Sequence, residues 1–167
     1  RPLFRSVAEV LARSAHSIDS ISLEYAGAEG SIFLSQAREF GLHTQVVDHG
    51  LLVRHDALAL QSDADVCLLA TWNSHNEQGV LTGKVFEYFL LRKPIVAIVG
   101  GDLPNSEIAE VIASVGAGYS YEAAVPNSMS KLNSWVERAL DQKNESGALT
   151  NDYNKKVNEF EISCIVT

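Results

Sequence analysis

"ADVCLLATWNSHNEQGVLTGKVFEYFLLRKPIVAIV", residues 64–99, holds two apolar runs separated by a polar, glycine-containing stretch and a segment of helical character. "ADVCLLAT" is apolar without alternation, which reads as a strand buried on both faces, and "IVAIV" after Pro94 reads as a second apolar strand. Between them, "GKVFEYFLLR" places Phe86, Phe89 and Leu90 at helical spacing. Strand, helix and strand in this order make a crossover unit, which returns the chain to the same end of the sheet and so lays its strands parallel.

The pattern extends both ways. Towards the N-terminus, "RPLFRSVAEVLARSA" sets Leu3, Phe4, Val7, Val10 and Leu11 on one helical stripe, with Pro2 where a missing N–H costs little. "IDSISLEYAG" reads as a strand and turn, and "SIFLSQAREFGL" as a helix stopped by Gly41. "HTQVVDHG" is a further strand and "HDALALQSD" a short helix. Towards the C-terminus, Gly100 and Gly101 break the strand, "PNSEIAEVIASV" forms a helix from Pro104 that Gly116 ends, and "GAGYSYE" is a last strand. Residues 126–143 and 147–158 have helical character. The expectation is a single α/β domain over residues 1–167, a doubly wound, mainly parallel sheet with helices on both faces.

Composition narrows the function. With 167 residues, 46% apolar, the chain is long enough for one sizeable core. Thirteen Lys and Arg against 21 Asp and Glu give a formal charge of −8, which argues against broad binding to nucleic acid or anionic lipid. An anionic ligand needs a local site. The two cysteines, Cys67 and Cys164, show neither metal-ligand spacing nor a disulfide framework, and the five histidines share no ligand-like spacing, so no metal is expected. No stretch is long and apolar enough to span a bilayer, and a soluble, cytoplasmic domain is expected.

In doubly wound sheets ligands sit beyond the carboxyl ends of the strands, which directs attention to the loops after Val47, Thr71 and Val99. The loop at residues 77–83 lies on that rim. Thr82 is a candidate N-cap and Gly83 follows it, so the first backbone N–H groups of the next helix can face the crevice and favour an anion. Gly79 lets a backbone approach closely and Lys84 adds a full positive charge, which suits a phosphate or diphosphate. Glu87 lies roughly 6 to 7 Å further along the helix, where a carboxylate can accept hydrogen bonds from vicinal ribose hydroxyls. The same residues also fit a plain surface ion pair between Lys84 and Glu87 over an ordinary core helix.

"ADVCLLATW", "GVLTGKVFEYFLLRKPIVAI" and "SEIAEVIASVGAG" resemble the C-terminal, donor-binding half of GT-B retaining glycosyltransferases of family four, particularly bacterial enzymes that build surface polysaccharides. The resemblance implies a Rossmann-like domain that binds a nucleoside diphosphate sugar as donor substrate without a further cofactor. It implies diphosphate contact at Gly79, Val80, Leu81, Thr82, Gly83 and Lys84, and ribose contact at Glu87. Leu52 and Val53, in "HGLLVRHD", correspond to the loop that reads the base, and Glu77 is the candidate to reach the sugar as a catalytic carboxylate. Glu77 stands ten positions before Glu87, so this loop is longer than in many members of the family.

A strand at the sheet centre and an Arg and Lys pair preceding the first residue, both usual in the family, are expected to be missing here, as is the acceptor-binding half. The resemblance thus implies a domain cut from a longer enzyme that moves a sugar to a polysaccharide or lipid-linked acceptor, binding donor but transferring poorly alone. Membrane contact is expected only through the missing half, at the inner face. "ISCIVT", residues 162–167, has the β-branched content to fill the vacant strand position. A non-catalytic scaffold that kept the fold to hold a partner protein is the competing expectation, and a sugar-nucleotide epimerase half is a third that lacks well-placed acid–base residues.

Overall fold

A computed structural model describes residues 2–13, 21–77, 79, 81–150, 153 and 157. The contacts divide the chain into two compact units, Arg1–Leu60 and Gln61–Thr167. Helix α1 (Pro2–Arg13), strand β1 (Leu23–Tyr25), helix α2 (Gly30–Glu39) and strand β2 (Val46–Asp48) belong to the first, and helix α3 (Arg54–Asp63) stands at the junction in sequence. Strand β3 (Cys67–Trp72), helix α4 (Gly83–Leu90), strand β4 (Ile95–Gly100), helix α5 (Glu107–Val115), strand β5 (Gly118–Glu122) and helix α6 (Ser128–Ser146) form the second.

In the first unit β1 and β2 pair in parallel, Leu23 opposite Val46. Of the stripe expected on α1, Phe4 and Val10 are buried and Leu3 and Val7 half-buried, and Phe4 joins Ala37 and Leu42 in a small core. Phe33 of α2 stacks on Tyr25 at 4.3 Å between ring centroids and meets Phe4 edge-on at 4.6 Å. Helix α2 ends where expected, with Gly41 at φ 72° in the left-handed region.

In the second unit the strand order is β3-β4-β5, all parallel, with Cys67 opposite Ile95 and Ile95 opposite Gly118. Helices lie on both sides of parallel sheets, the α/β Rossmann-like architecture. The main core gathers Val85 and Phe89 of α4, Ile95, Ala97 and Val99 of β4, and Ile108, Ile112 and Val115 of α5.

Several boundaries and burial expectations are corrected. The strand buried on both faces is β4, with Ile95 to Val99 all within 5% of full burial, whereas β3 leaves Ala70 exposed and Trp72 46% exposed. The reason is position: β4 is flanked by strands on both edges, and β3 is the terminal strand of its sheet. Leu90, expected in the core of α4, is 53% exposed. The helix expected from Pro104 begins at Glu107, because Asn105 holds φ 60° and Ser106 caps the helix, its Oγ accepting from the Ala109 N–H at 3.4 Å. Helix α4 closes early, at Leu90, because Arg92 adopts φ 53°. Residues 158–167, with the strand expected at 162–167, lie outside the described residues, as do 151, 152 and 154–156 of the helix expected at 147–158, whose first positions, 147–150, are not helical because Gly147 at φ 74° ends α6.

Candidate functional site

Because β3, β4 and β5 run parallel in the registers Trp72–Gly100 and Val99–Glu122, their carboxyl ends open on one rim of the second unit. Two loops there are braced against each other. The Asn73 N–H donates to the Gly100 carbonyl at 2.8 Å, its buried side-chain Nδ2 donates to the carbonyls of Leu103 at 3.1 Å and Pro104 at 3.2 Å, and its own carbonyl accepts from the Leu103 N–H at 3.1 Å. Gly101 completes the brace: its φ is 104°, and a Cβ would fall 2.1 Å from the Asn73 carbonyl oxygen. The tight turn read from Gly100 and Gly101 thus has a steric cause.

A third loop is tied in from β5. Glu122, buried at the strand end, accepts from the Ser106 N–H at 2.8 Å through Oε1, and its own N–H donates to Ser128 Oγ at 3.0 Å. The carboxylate therefore fixes the entry to α5, and the hydroxyl fixes the entry to α6. Asn73, Ser106 and Glu122 were not singled out from sequence; the available signal was a polar residue at the end of an apolar strand.

The segment leading to α4 turns tightly, with Ser74 and Glu77 exchanging backbone hydrogen bonds at 3.0 and 3.3 Å. Glu77 is exposed at this turn. His75 at the same turn places Nδ1 3.0 Å from the Asp102 carboxylate, a pairing across the two braced loops. That hydrogen bond is the chief reason the Asp102 carboxyl lies below its usual range.

Gly79 then returns to β3. Its N–H donates to the Trp72 carbonyl at 2.7 Å, and a Cβ would sit 1.9 Å from Thr71 Oγ1. Gly79 is thus required by close packing on the strand end, and its own amide is engaged by the Trp72 carbonyl. Val80 lies outside the described residues, and Leu81 packs against the main core.

Thr82 has the extended backbone of an N-cap, φ −81° and ψ 153°, but its side chain makes no capping hydrogen bond. The Val85 N–H turns back to the Thr82 carbonyl at 3.1 Å, and among the described residues the N–H groups of Gly83 and Lys84 have no carbonyl partner. Thr82, Gly83 and Lys84 are all exposed, and a Cβ on Gly83 would meet open space. Among the described residues, two backbone donors at the positive end of α4 thus lack a carbonyl partner on residues that are exposed. Val85 and Phe89 anchor the opposite face of the helix in the core.

Lys84 Nζ lies 3.1 Å from Glu87 Oε2, with side-chain exposures of 54% and 20%. The ion pair read as one alternative from the i, i+3 spacing is therefore formed. An exposed pair of this kind contributes about 0.2–1 kcal/mol, so an incoming dianion can draw Lys84 away at small cost. Glu87 stays one turn from the free amides, partly sheltered.

In the first unit, Leu52 is half-buried and Val53 is 69% exposed in the turn that follows β2, where the Ala57 N–H bonds the Val53 carbonyl at 3.0 Å as α3 begins. The remaining described histidines show no convergence: His43 is exposed, His49 pairs with Glu24 at 2.5 Å and His55 lies 3.3 Å from Asp56. Among the described residues no group of three or more His, Cys, Asp or Glu could hold a metal ion, and no helix is long and apolar enough to cross a membrane. Cys67 is buried, and burial pushes its thiol up to about 11.

Parallel sheets with helices on both sides, and a rim of strand-end loops, make an α/β Rossmann-like fold. Among solved structures, that of WaaG, a glycosyltransferase involved in lipopolysaccharide biosynthesis, matches with a TM-score of 0.55 and 18% sequence identity. The match covers 86% of this chain and 34% of that one, so this chain spans about a third of the length of that protein. At such identity the likeness is one of fold. No protein-family model matches the chain, and no curated protein matches it.

Proposed function

We propose that this chain is the donor-binding part of a glycosyltransferase and holds a nucleoside diphosphate sugar on the rim of its second unit. The observation that carries the reading is the start of α4, where the N–H groups of Gly83 and Lys84, without a carbonyl partner among the described residues, lie one helical turn from Glu87. In this reading the diphosphate sits on those two amides, Lys84 leaves Glu87 to bind it, and Glu87 accepts hydrogen bonds from the ribose hydroxyls. Thr82 and Leu81 shape the approach, and Glu77 reaches for the sugar.

Transfer in this reading needs stabilisation of the leaving diphosphate as its bond to the sugar breaks. The helix dipole and the Lys84 ammonium provide that charge at fixed positions, without a metal ion. The acceptor is a glycan or lipid-linked glycan presented by a separate part of the enzyme, and the site of action is the cytoplasm. The reading rests on the site, since the fold alone hosts many chemistries. A scaffold that keeps the fold without binding a donor draws support from the engaged Gly79 amide and the closed Lys84–Glu87 pair.

Calorimetry with UDP, GDP and ADP separates the two. Binding of at least one, weakened about tenfold or more by Glu87→Ala and by Lys84→Ala, is expected, since tenfold corresponds to one lost charge-assisted contact. No binding, or binding indifferent to both substitutions in variants that melt like the parent, ends the donor reading.

A further inference from the structure

Away from the α4 rim, an open groove of about 350 Å³ runs between β5 and one face of α6, lined by Tyr119, Asn127, Ser130, Lys131, Ser134 and Arg138. It shares no residue with the site at α4. On a chain of net charge −8 this wall carries two cations and no carboxylate. Lys143, further along the same helix, is neutralised by Asp65, whereas among the described residues Lys131 and Arg138 form no ion pair.

The hydroxyls add a second requirement. Ser134 donates to the Ser130 carbonyl at 3.0 Å and keeps its acceptor lone pairs; Tyr119 donates its O–H to the Ser128 carbonyl at 3.1 Å and, with Ser128 Oγ 3.4 Å away as a second neighbour, keeps one acceptor lone pair. The Asn127 side chain is not occupied in capping α6 and retains both donor and acceptor capacity. A bare inorganic anion satisfies the cations but offers the two acceptor oxygens nothing. A neutral sugar satisfies the acceptors but leaves two cations unused. Lys131 and Arg138 are seven positions apart on the helix, about 10 Å along its axis, so the groove suits a ligand longer than one ion.

We propose that this groove is a second binding site, for an acidic saccharide: a chain that bears hydroxyl donors together with carboxylate or phosphate groups. Its acidic groups meet Lys131 and Arg138, and its hydroxyls donate to Tyr119 and Ser134. The site is independent of the donor reading, and its failure or success leaves that reading untouched.

Calorimetry with trigalacturonic acid, glucose 6-phosphate, maltotriose and inorganic phosphate tests it. At least one of the two acidic sugars is expected to bind about tenfold or more tightly than either control. Which of them binds better distinguishes a carboxylate from a phosphate ligand. The double variant Lys131→Glu with Arg138→Glu, at exposed positions, is expected to abolish this binding, and Tyr119→Phe is expected to weaken it. Affinity for UDP is expected to be unchanged in the charge-reversed variant, and affinity for the acidic sugar unchanged in Glu87→Ala. Phosphate or maltotriose binding as tightly as the acidic sugars overturns the proposal. So does an absence of binding at millimolar concentration, or acidic-sugar affinity that survives charge reversal in a variant with parental melting behaviour.

Discussion

Gly101 and Gly79 look alike in sequence, each a glycine in a rim loop, yet both are explained by what lies beside them. At Gly101 a Cβ is excluded twice, by φ 104° and by the Asn73 carbonyl oxygen 2.1 Å away. Gly101→Ala is expected to lower stability by about 2 kcal/mol or more in urea denaturation, against a small effect at Gly83, where a Cβ meets open space. Cys67 offers a second test at this scale. Its thiol is buried and raised to about 11, so it is expected to react with a disulfide reagent at pH 8 only as fast as the protein opens, and at once in denaturant. The Lys84–Glu87 pair shows where spacing stops being informative. An i, i+3 acid–base pair is compatible with a salt bridge and with a ligand clamp, and only the free amides beside it favour the second.

At the scale of elements, the strand–helix alternation was legible because a fully buried parallel strand and a half-buried helix have different hydrophobic periods. "IVAIV" folds as read, and on α1 the expected stripe positions Phe4 and Val10 are buried. The errors lie where a neighbour decides the outcome. Periodicity made "ADVCLLAT" a strand but could not say that β3 ends its sheet, and so could not foresee the exposure of Ala70 and Trp72. The start of α5 moved from Pro104 to Glu107 because Ser106 caps it, with Glu122 sixteen residues away holding the Ser106 N–H. Ser106→Ala is expected to cost about 1 kcal/mol, the usual value of a lost N-cap, measured by chemical denaturation. Phe89→Ala in α4, which empties a position 1% exposed in the core, is expected to cost about 3–5 kcal/mol.

For the whole molecule, burial predicts an order of local stability. Amide exchange is expected to be slowest in β4, paired on both edges and buried on both faces, and faster in β3 and in the two-stranded β1-β2 sheet. Exchange as slow in β1 as in β4 would contradict that order. The buried Cys67 also sets an alkaline limit. Its pKa is about 11 in the folded chain against the ordinary value of 9.0, so the native state binds this proton more tightly than the unfolded state. The stability it contributes is fully present below pH 9 and is lost as pH rises towards 11, a decline expected to shrink in Cys67→Ala once its own baseline cost is subtracted.

The sequence by itself determined the class of fold, the order of elements and the helix whose N-terminus carries the candidate site, because these follow from periods and turn chemistry that act within a few residues. The tertiary structure alone decided the rest. The two parallel sheets, the engaged amide of Gly79, the brace through Asn73 and the basic groove between β5 and α6 all depend on residues distant in the chain. Such contacts arise from packing and from the obligation of every buried polar group to find a partner, and neither leaves a local mark on the sequence.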